Sequence, residues 1–150
     1  MRVGVEKLGC VEHILRDADI YPYLTDDGSP DEAAFTYKAI LENPACYTLM
    51  PNPGSVFLFT PHNFVLYEVH CAILPNWRGI QAVEASKGTR DWMFANTPCQ
   101  KIITVCPAYN TKAYALARRS GMVVVGVITK AFLKDRRLVD LILLSVGKGE

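Results

Sequence analysis

The sequence predicts an α/β protein with one mixed, mostly antiparallel sheet and helices on both faces. The first observation is the order of the predicted elements: early helices, a meander of strands, a strand–helix–strand crossover, one more helix and a closing hairpin. The second is size, because 150 residues with 50% hydrophobic content match one domain with one sizeable core. We therefore expect a single domain over residues 1–150.

The N-terminal third predicts two helices separated by an irregular segment. A short helix is expected over residues 11–18, and residues 20–28 are expected to be irregular. The run Ser29-Pro30-Asp31-Glu32 is typical of a capping box, with Pro30 at the first helical position. Asn43-Pro44 ends this helix. Its inward face is expected to carry Ala33, Tyr37, Ile40 and Leu41.

The remaining elements follow from periodicity and turn residues. Strands are expected over residues 46–50, 55–59 and 63–74, which form an antiparallel meander. A helix over 79–96 and a strand over 101–106 complete the crossover, and Asn110 caps a helix that ends at Gly121. The closing hairpin pairs residues 123–132 with 138–146. This last strand is apolar enough to pair with another chain if it lies at an edge.

Charge and composition exclude several classes of partner. Sixteen basic and fifteen acidic residues leave a formal charge of +1, so no global field attracts nucleic acid or anionic lipid. The basic pairs Arg118–Arg119 and Arg136–Arg137 lack an aromatic platform beside them, which argues against a nucleic-acid-binding module. The first residues lack the apolar core of a signal peptide, and no apolar run approaches the roughly 20 residues that span a bilayer. We expect a cytoplasmic protein without a membrane partner.

The cysteines and histidines show neither a disulfide framework nor a metal-binding pattern. The five cysteines form an odd set without a C-x-x-C pair, which argues for reduced thiols. The three histidines lack the i, i+4 spacing of zinc-binding helices. We expect no metal site.

Two titratable side chains stand out in the longest predicted strand. Alternation places Glu68 and His70 on one face, together with Leu66 and Ala72. Titratable groups in a central strand cost desolvation energy unless they line a cleft or find partners. Glu68 and His70 are therefore candidate catalytic residues for proton transfer. A purely structural Glu–His pair fits the same pattern, and both interpretations stay open.

The loop after this strand is a candidate anion site. Arg78 and Gly79 stand where a helix begins, and the N–H groups of a first helical turn have no partners within the helix. An ordinary strand-to-helix turn uses glycine in the same way without binding a ligand. The loop alone therefore leaves both interpretations open.

Residues 63–132 resemble the core of the GNAT acetyltransferase superfamily. The likeness rests on Ile73-Leu74-Pro75 at the strand end, Trp77-Arg78-Gly79 before a helix, the strand 101–106, and Asn110-x-x-Ala113-x-x-Leu116 closing on Gly121-Met122. The resemblance implies the GNAT-like acyl-CoA N-acyltransferase fold, in which strands 63–74 and 101–106 are parallel and splay apart. It also implies that the pantetheine arm of CoA enters between them and that the loop amides hold the pyrophosphate.

The resemblance further implies acetyl-CoA as the co-substrate and assigns positions to it. The expected cofactor-binding residues are Ala72, Ile73, Arg78, Gly79, Ile80, Gln81, Ala82 and Asn110. Asn76 and Gln81 depart from the family's loop pattern, and Gln81 adds a side chain where the backbone approaches the pyrophosphate. Arg78 offers a phosphate partner that offsets this change. The family's acid tyrosine falls on Ala117, and Tyr114 points about 60° away around the helix.

Two functions follow from these features. The first is an N-acetyltransferase in which an unidentified amine acceptor, deprotonated through Glu68 or His70, attacks the acetyl carbonyl directly. The acidic segment 17–30 lies where the family builds its acceptor site, and both a site for a cationic acceptor and an acidic loop on a solvated surface fit it. The second function rests on residues 69–79, 102–107 and 110–122, which look most like GNAT-like proteins of bacteriophages and prophages. That likeness implies a catalytically inactive protein in virion assembly, with phage structural proteins or further copies of the chain as partners.

Overall fold

The computed structural model describes residues 1–31 and 36–150 of the chain. The described part of the first third contains a 3-10 turn at Val5–Lys7 and the short α-helices α1 (Leu8–Leu15), α2 (Tyr21–Leu24) and α3 (Lys38–Glu42). The strands are β1 (Tyr47–Asn52), β2 (Ser55–Pro61), β3 (Leu66–Ile73), β4 (Lys101–Pro107), β5 (Val123–Lys134) and β6 (Arg137–Gly147). The two longer helices are α4 (Ile80–Asn96), between β3 and β4, and α5 (Thr111–Arg119), between β4 and β5.

The six strands form one mixed sheet in the order β1-β2-β3-β4-β6-β5. The β3–β4 pair is parallel and every other neighbouring pair is antiparallel. The parallel pair is joined through α4, as the strand–helix–strand pattern predicted. The predicted mixed, mostly antiparallel sheet is confirmed.

The alternating side chains of β2 show why both faces of the sheet are covered. Phe57 and Phe59 point into a core that includes Met93 of α4, whereas Val56 and Leu58 pack with Val11 and Ile14 of α1 and with Ile20 just before α2. Burying each of these side chains contributes about 1.5–3 kcal/mol. Helices therefore lie on both faces, which the sequence also predicted.

The N-terminal predictions need correction in two places. The first helix begins at Leu8 and ends at Leu15, and the segment expected to be irregular contains α2. The helix predicted from Pro30 is wrong at Pro30 and Asp31, which are not helical. The Ser29 hydroxyl instead bonds Asp26, and the Tyr21 hydroxyl donates to the Pro30 carbonyl. The capping partner Glu32 and the inward position Ala33 lie outside the described residues.

The strand β3 begins three residues later than predicted. The side-chain oxygen of Asn63 accepts hydrogen bonds from the N–H groups of Val65 and Leu66, at 3.0 and 2.9 Å. This Asx turn competes with the strand ladder and bends the chain before Leu66. The final strand β6 lies between β4 and β5, so it is not the edge strand that its apolar sequence raised as a possibility.

One edge strand of the sheet is β5, which exposes a run of aliphatic side chains. Val123, Val124, Val125, Val127 and Ile128 are each 41–55% exposed. The pairing with β6 is irregular twice along the strand, and Lys130 has a φ of 52° in the second irregularity. Irregular pairing of this kind limits the length of regular edge that another strand can join.

One glycine within α4 provides a simple test of the helix. A Cβ at Gly88 would meet no atom within 4 Å. Because glycine loses the most backbone entropy in a helix, Gly88→Ala should stabilise the protein by about 0.5–1 kcal/mol. Urea unfolding followed by circular dichroism measures the change, and a lower midpoint would contradict the packing described for α4.

No helix of the described segments combines the length and apolar character needed to cross a membrane.

Candidate functional site

The parallel strands separate along their length. Register pairs join Leu66 to Lys101, Tyr67 to Ile102 and Glu68 to Ile103, and the pairing ends there although both strands continue. At the point of separation the Thr104 hydroxyl donates to the Val69 carbonyl at 3.1 Å. A side chain thus satisfies the carbonyl that a continuing ladder would have used. The predicted splay between the two strands is confirmed.

A cavity of about 380 Å³ opens at the separated ends of the strands. Its walls come from both sides of the sheet: α4 and α5 contribute Ala82, Ala113 and Leu116, whereas the α2 region contributes Ile20 and Tyr23. Cys71, Ala72 and Ile73 at the end of β3 lie between them. One cavity contacts helices of opposite faces because the sheet is open at this point.

Most of the predicted cofactor-binding residues lie at the cavity. Ala72, Ile73, Arg78, Gly79, Ala82 and Asn110 line it. Ile80 and Gln81 do not line it, and the Ile80 side chain is 72% exposed. Both follow Gly79 directly in the first turn of α4, so only their backbone groups are placed toward the loop. Asn110 also caps α5, because its side-chain oxygen accepts from the Ala113 N–H at 3.2 Å.

Gly79 has a backbone conformation that favours glycine. Its φ is 85° and its ψ is −141°, a region that other residues enter only with strain. No side chain caps the helix at this position. The N–H groups of the first turn of α4 are therefore without a side-chain cap where the helix dipole is positive.

The charges around the cavity are mostly positive. Arg78, Lys112 and Arg119 line it, and Asp19 is the acidic residue among the lining residues. Within the described ranges, none of the three basic side chains forms an ion pair with a carboxylate. Arg78 donates instead to the carbonyls of Ile73 and Asp19, at 3.1 and 3.4 Å. The cavity is therefore suited to an anionic ligand.

The acidic segment before the sheet is mostly engaged in local structure. The Asp27 carboxylate accepts from the N–H groups of Arg136 and Asp135 at 2.8 Å each, and these bonds lower its pKa. Asp26 bonds Gly28 and Ser29, and Asp17 accepts from the Asp19 N–H. Of these four aspartates, Asp19 is the one that lines the cavity.

The predicted proton-transfer pair belongs to a cluster of three residues. Glu68 Oε2 lies 3.2 Å from His70 Nε2, and Glu68 Oε1 lies 2.8 Å from His62 Nε2. The Glu68 side chain is 18% exposed, compared with 48% for His62 and 50% for His70. Sequence analysis assigned no role to His62, although the antiparallel pairing of Thr60 with Glu68 places the turn near that carboxylate.

Glu68 and His70 do not line the cavity, although their strand leads into it. His70 lies two residues before Ala72 on the same face of β3, which corresponds to about 6.6 Å along a strand. Glu68 lies a further two residues back. Of the predicted pair, the imidazole is therefore the nearer group.

Thiol and phenol groups near the cavity differ in their suitability for chemistry. Burial, together with the neighbouring Cys106, raises the pKa of Cys71 to about 12, so its thiol stays protonated at neutral pH and is a poor nucleophile. Ala117 is buried and Tyr114 packs against the core. Tyr23 is the tyrosine that lines the cavity within the described ranges.

Comparison with known proteins gives a consistent picture of the fold. No protein-family model and no curated protein matches the sequence. A spermidine N-acetyltransferase from Vibrio cholerae, in complex with CoA and spermine, is similar in structure, with a TM-score of 0.78, 17% identity and coverage of 98% of this chain and 93% of that chain.

Two further solved structures are similar over most of their length. A ribosomal-protein-S5-alanine acetyltransferase from Vibrio fischeri has a TM-score of 0.78 and 15% identity, covering 100% of this chain and 92% of that chain. A GNAT-family acetyltransferase from Bacillus anthracis has a TM-score of 0.75 and 19% identity, covering 97% and 91%. The chain therefore has the GNAT acyl-CoA N-acyltransferase fold.

Proposed function

We propose that the protein is an N-acetyltransferase that uses acetyl-CoA and transfers the acetyl group directly to a primary amine. The observation that carries the proposal is the cavity at the splay, because it joins a positively charged helix terminus on one side of the sheet to the α2 region on the other. A thioester bound from one side and an amine arriving from the other would meet between β3 and β4.

The chain supplies separate groups for each part of CoA. The first turn of α4, with Arg78, would hold the pyrophosphate, since helix N-termini and guanidinium groups both favour phosphate. Lys112 and Arg119 add positive charge along the same cavity. The pantetheine arm would lie along the side of β3 at Ala72 and Ile73 that β4 no longer pairs, and near Asn110. Ile80 and Gln81 would contribute backbone N–H groups only.

The reaction needs one proton removed and one returned. A protonated amine first loses a proton to His70, which is held by Glu68. The neutral nitrogen then attacks the thioester carbonyl carbon, so that a C–N bond forms as the C–S bond breaks. The second nitrogen proton ends on the leaving thiolate, and Tyr23, which lines the cavity, would deliver it. Direct transfer fits the protonated Cys71 thiol, because a covalent enzyme intermediate would need a nucleophile.

The acceptor is a cationic amine in this proposal. Asp19 lines the cavity on the α2 side, and its carboxylate would attract such an amine. The Vibrio cholerae neighbour is a spermidine N-acetyltransferase in complex with spermine, and the Vibrio fischeri neighbour is a ribosomal-protein-S5-alanine acetyltransferase. An acceptor screen would therefore include spermidine, spermine and a peptide with an N-terminal alanine. A location in the cytoplasm and a phage or prophage origin remain predictions of the sequence.

Titration calorimetry with acetyl-CoA tests the cofactor site. The unmodified protein should bind with a dissociation constant near 1 μM, about −8.2 kcal/mol. Gly79→Trp should weaken binding at least about tenfold, or 1.4 kcal/mol, because the side chain enters the cavity from a strained position. Gly88→Trp is the matched control, since Gly88 lies on the same helix, away from the cavity, with free space around it.

Failure to bind millimolar acetyl-CoA would overturn the proposal. The protein would then be a GNAT-like fold without catalysis, and physical partners such as phage structural proteins would be sought instead. Binding that Gly79→Trp leaves unchanged would place the cofactor elsewhere on the surface.

A further inference from the structure

We propose that His62 is a positioning residue that fixes the Glu68 carboxylate and, through it, the His70 imidazole. The inference rests on the proposed acetyl transfer and extends it to a residue on the β2–β3 turn. It assigns a role to the one member of the histidine–glutamate cluster that the direct-transfer chemistry does not otherwise use.

The geometry gives each carboxylate oxygen its own imidazole. His62 Nε2 and His70 Nε2 contact different oxygens of Glu68, at 2.8 and 3.2 Å. The shorter contact is the one to His62. A carboxylate held at both oxygens cannot rotate without losing a partner, so the contact to His62 fixes the oxygen that orients His70.

The backbone around His62 is held by its own hydrogen bonds. The His62 N–H donates to the Leu66 carbonyl at 2.8 Å, and the Asn63 side chain closes the same turn. The imidazole therefore projects from a fixed turn rather than from a free loop. Among the described residues, Lys101 is the cation whose register position on β4 lies nearest to Glu68, and it is paired with Leu66 in that register. Its Nζ atom lies 3.5 Å from Oε1 of Glu150.

Solvent reaches the two imidazoles of the cluster more than the carboxylate between them. Glu68 is the least exposed of the three, and both imidazoles are about half exposed. The proton that the amine gives to His70 must leave before the next turnover. Because the His70 imidazole is itself half exposed, it can give this proton to water directly, so that one proton is released for each amide formed and His70 returns to its neutral form. The role left to His62 is to hold the carboxylate that orients His70.

Steady-state kinetics of three variants tests this role, with acetyl-CoA and spermidine as substrates, or with the amine from the acceptor screen that gives the faster turnover. His62→Ala should lower kcat at least about tenfold, while the KM and the calorimetric affinity for acetyl-CoA stay unchanged. A positioned acid–base group contributes about 10²- to 10⁴-fold, so loss of its support should cost a part of that. His62→Gln keeps an N–H donor for Glu68 and should recover most of the loss.

His13→Ala is the matched control, because His13 is an exposed histidine of α1 outside the cluster, and it should leave kcat unchanged. Equal kcat in His62→Ala and the unmodified protein would overturn the inference while leaving the proposed function intact. Equal loss in His62→Ala and His62→Gln would also overturn the positioning role. An unmodified protein that binds acetyl-CoA and acetylates no amine would overturn the proposed function itself.

Discussion

Replacement of His70 by alanine is expected to lower kcat by about 10²- to 10⁴-fold, the range that a positioned general base contributes. His70 lies on the strand that leads into the cavity, and its imidazole contacts Glu68 at 3.2 Å. Its side chain is half exposed, so the substitution should cost little stability and leave acetyl-CoA binding intact. Glu68→Gln should give a similar loss, because the amide no longer supplies two acceptor oxygens.

Kinetics and calorimetry together separate a catalytic effect from a folding defect. The expected pattern is a reduced kcat with an unchanged acetyl-CoA dissociation constant and an unchanged urea midpoint. An unchanged kcat in His70→Ala would exclude this imidazole as the base and leave Glu68 as the candidate base. The structural interpretation of the pair would gain support if both variants unfolded at lower urea and turned over normally.

Gly54→Ala is expected to destabilise the protein by about 1–3 kcal/mol, the usual cost of overpacking. A Cβ at Gly54 would overlap the Trp77 indole, which packs against the main core. The backbone cannot move away easily, since the Gly54 carbonyl accepts from the Leu74 N–H at 2.9 Å. Trp77 directly precedes Arg78 and Gly79, so the displaced ring should also weaken acetyl-CoA binding.

A double-mutant cycle with Trp77→Ala identifies the cause. Urea unfolding should show that Gly54→Ala costs almost nothing once the indole is absent, because the overlap is then removed. Gly88→Ala serves as a control for glycine replacement without a clash. If the costs of Gly54→Ala and Trp77→Ala simply add, the two residues do not interact as described.

The strand–helix–strand crossover and the helix after it were predictable because the turn and capping residues in their sequence form the same turns and caps in the fold. The helix of residues 80–96 begins after a glycine that requires a positive φ, and Asn110 caps the next helix through its own side chain. The splay and the loop predicted to face the ligand followed from a resemblance whose residues lie in this region. Six predicted cofactor positions accordingly meet at one cavity.

The errors arose where a side chain bonds the backbone or another segment in a way that spacing does not reveal. Ser29 bonds Asp26 rather than starting a helix, and Asn63 closes a turn that delays β3. His62 was missed because it contacts Glu68 across that turn, whereas the alternation of side chains predicts only which residues of one strand share a face. The position of β6 inside the sheet depends on strand order, which its apolar sequence does not specify.

The short parallel pairing also divides the sheet mechanically. Three register pairs and the Thr104 hydroxyl join β3 to β4, whereas seven register pairs join β2 to β3 and seven join β4 to β6. Each hydrogen bond contributes about 0.5–1.5 kcal/mol, so the seam between β3 and β4 resists separation least among these interfaces. We therefore expect strands β1 to β3 and strands β4 to β6 to move as two units, so that a small rotation about Leu66 to Glu68 changes the width of the gap between them.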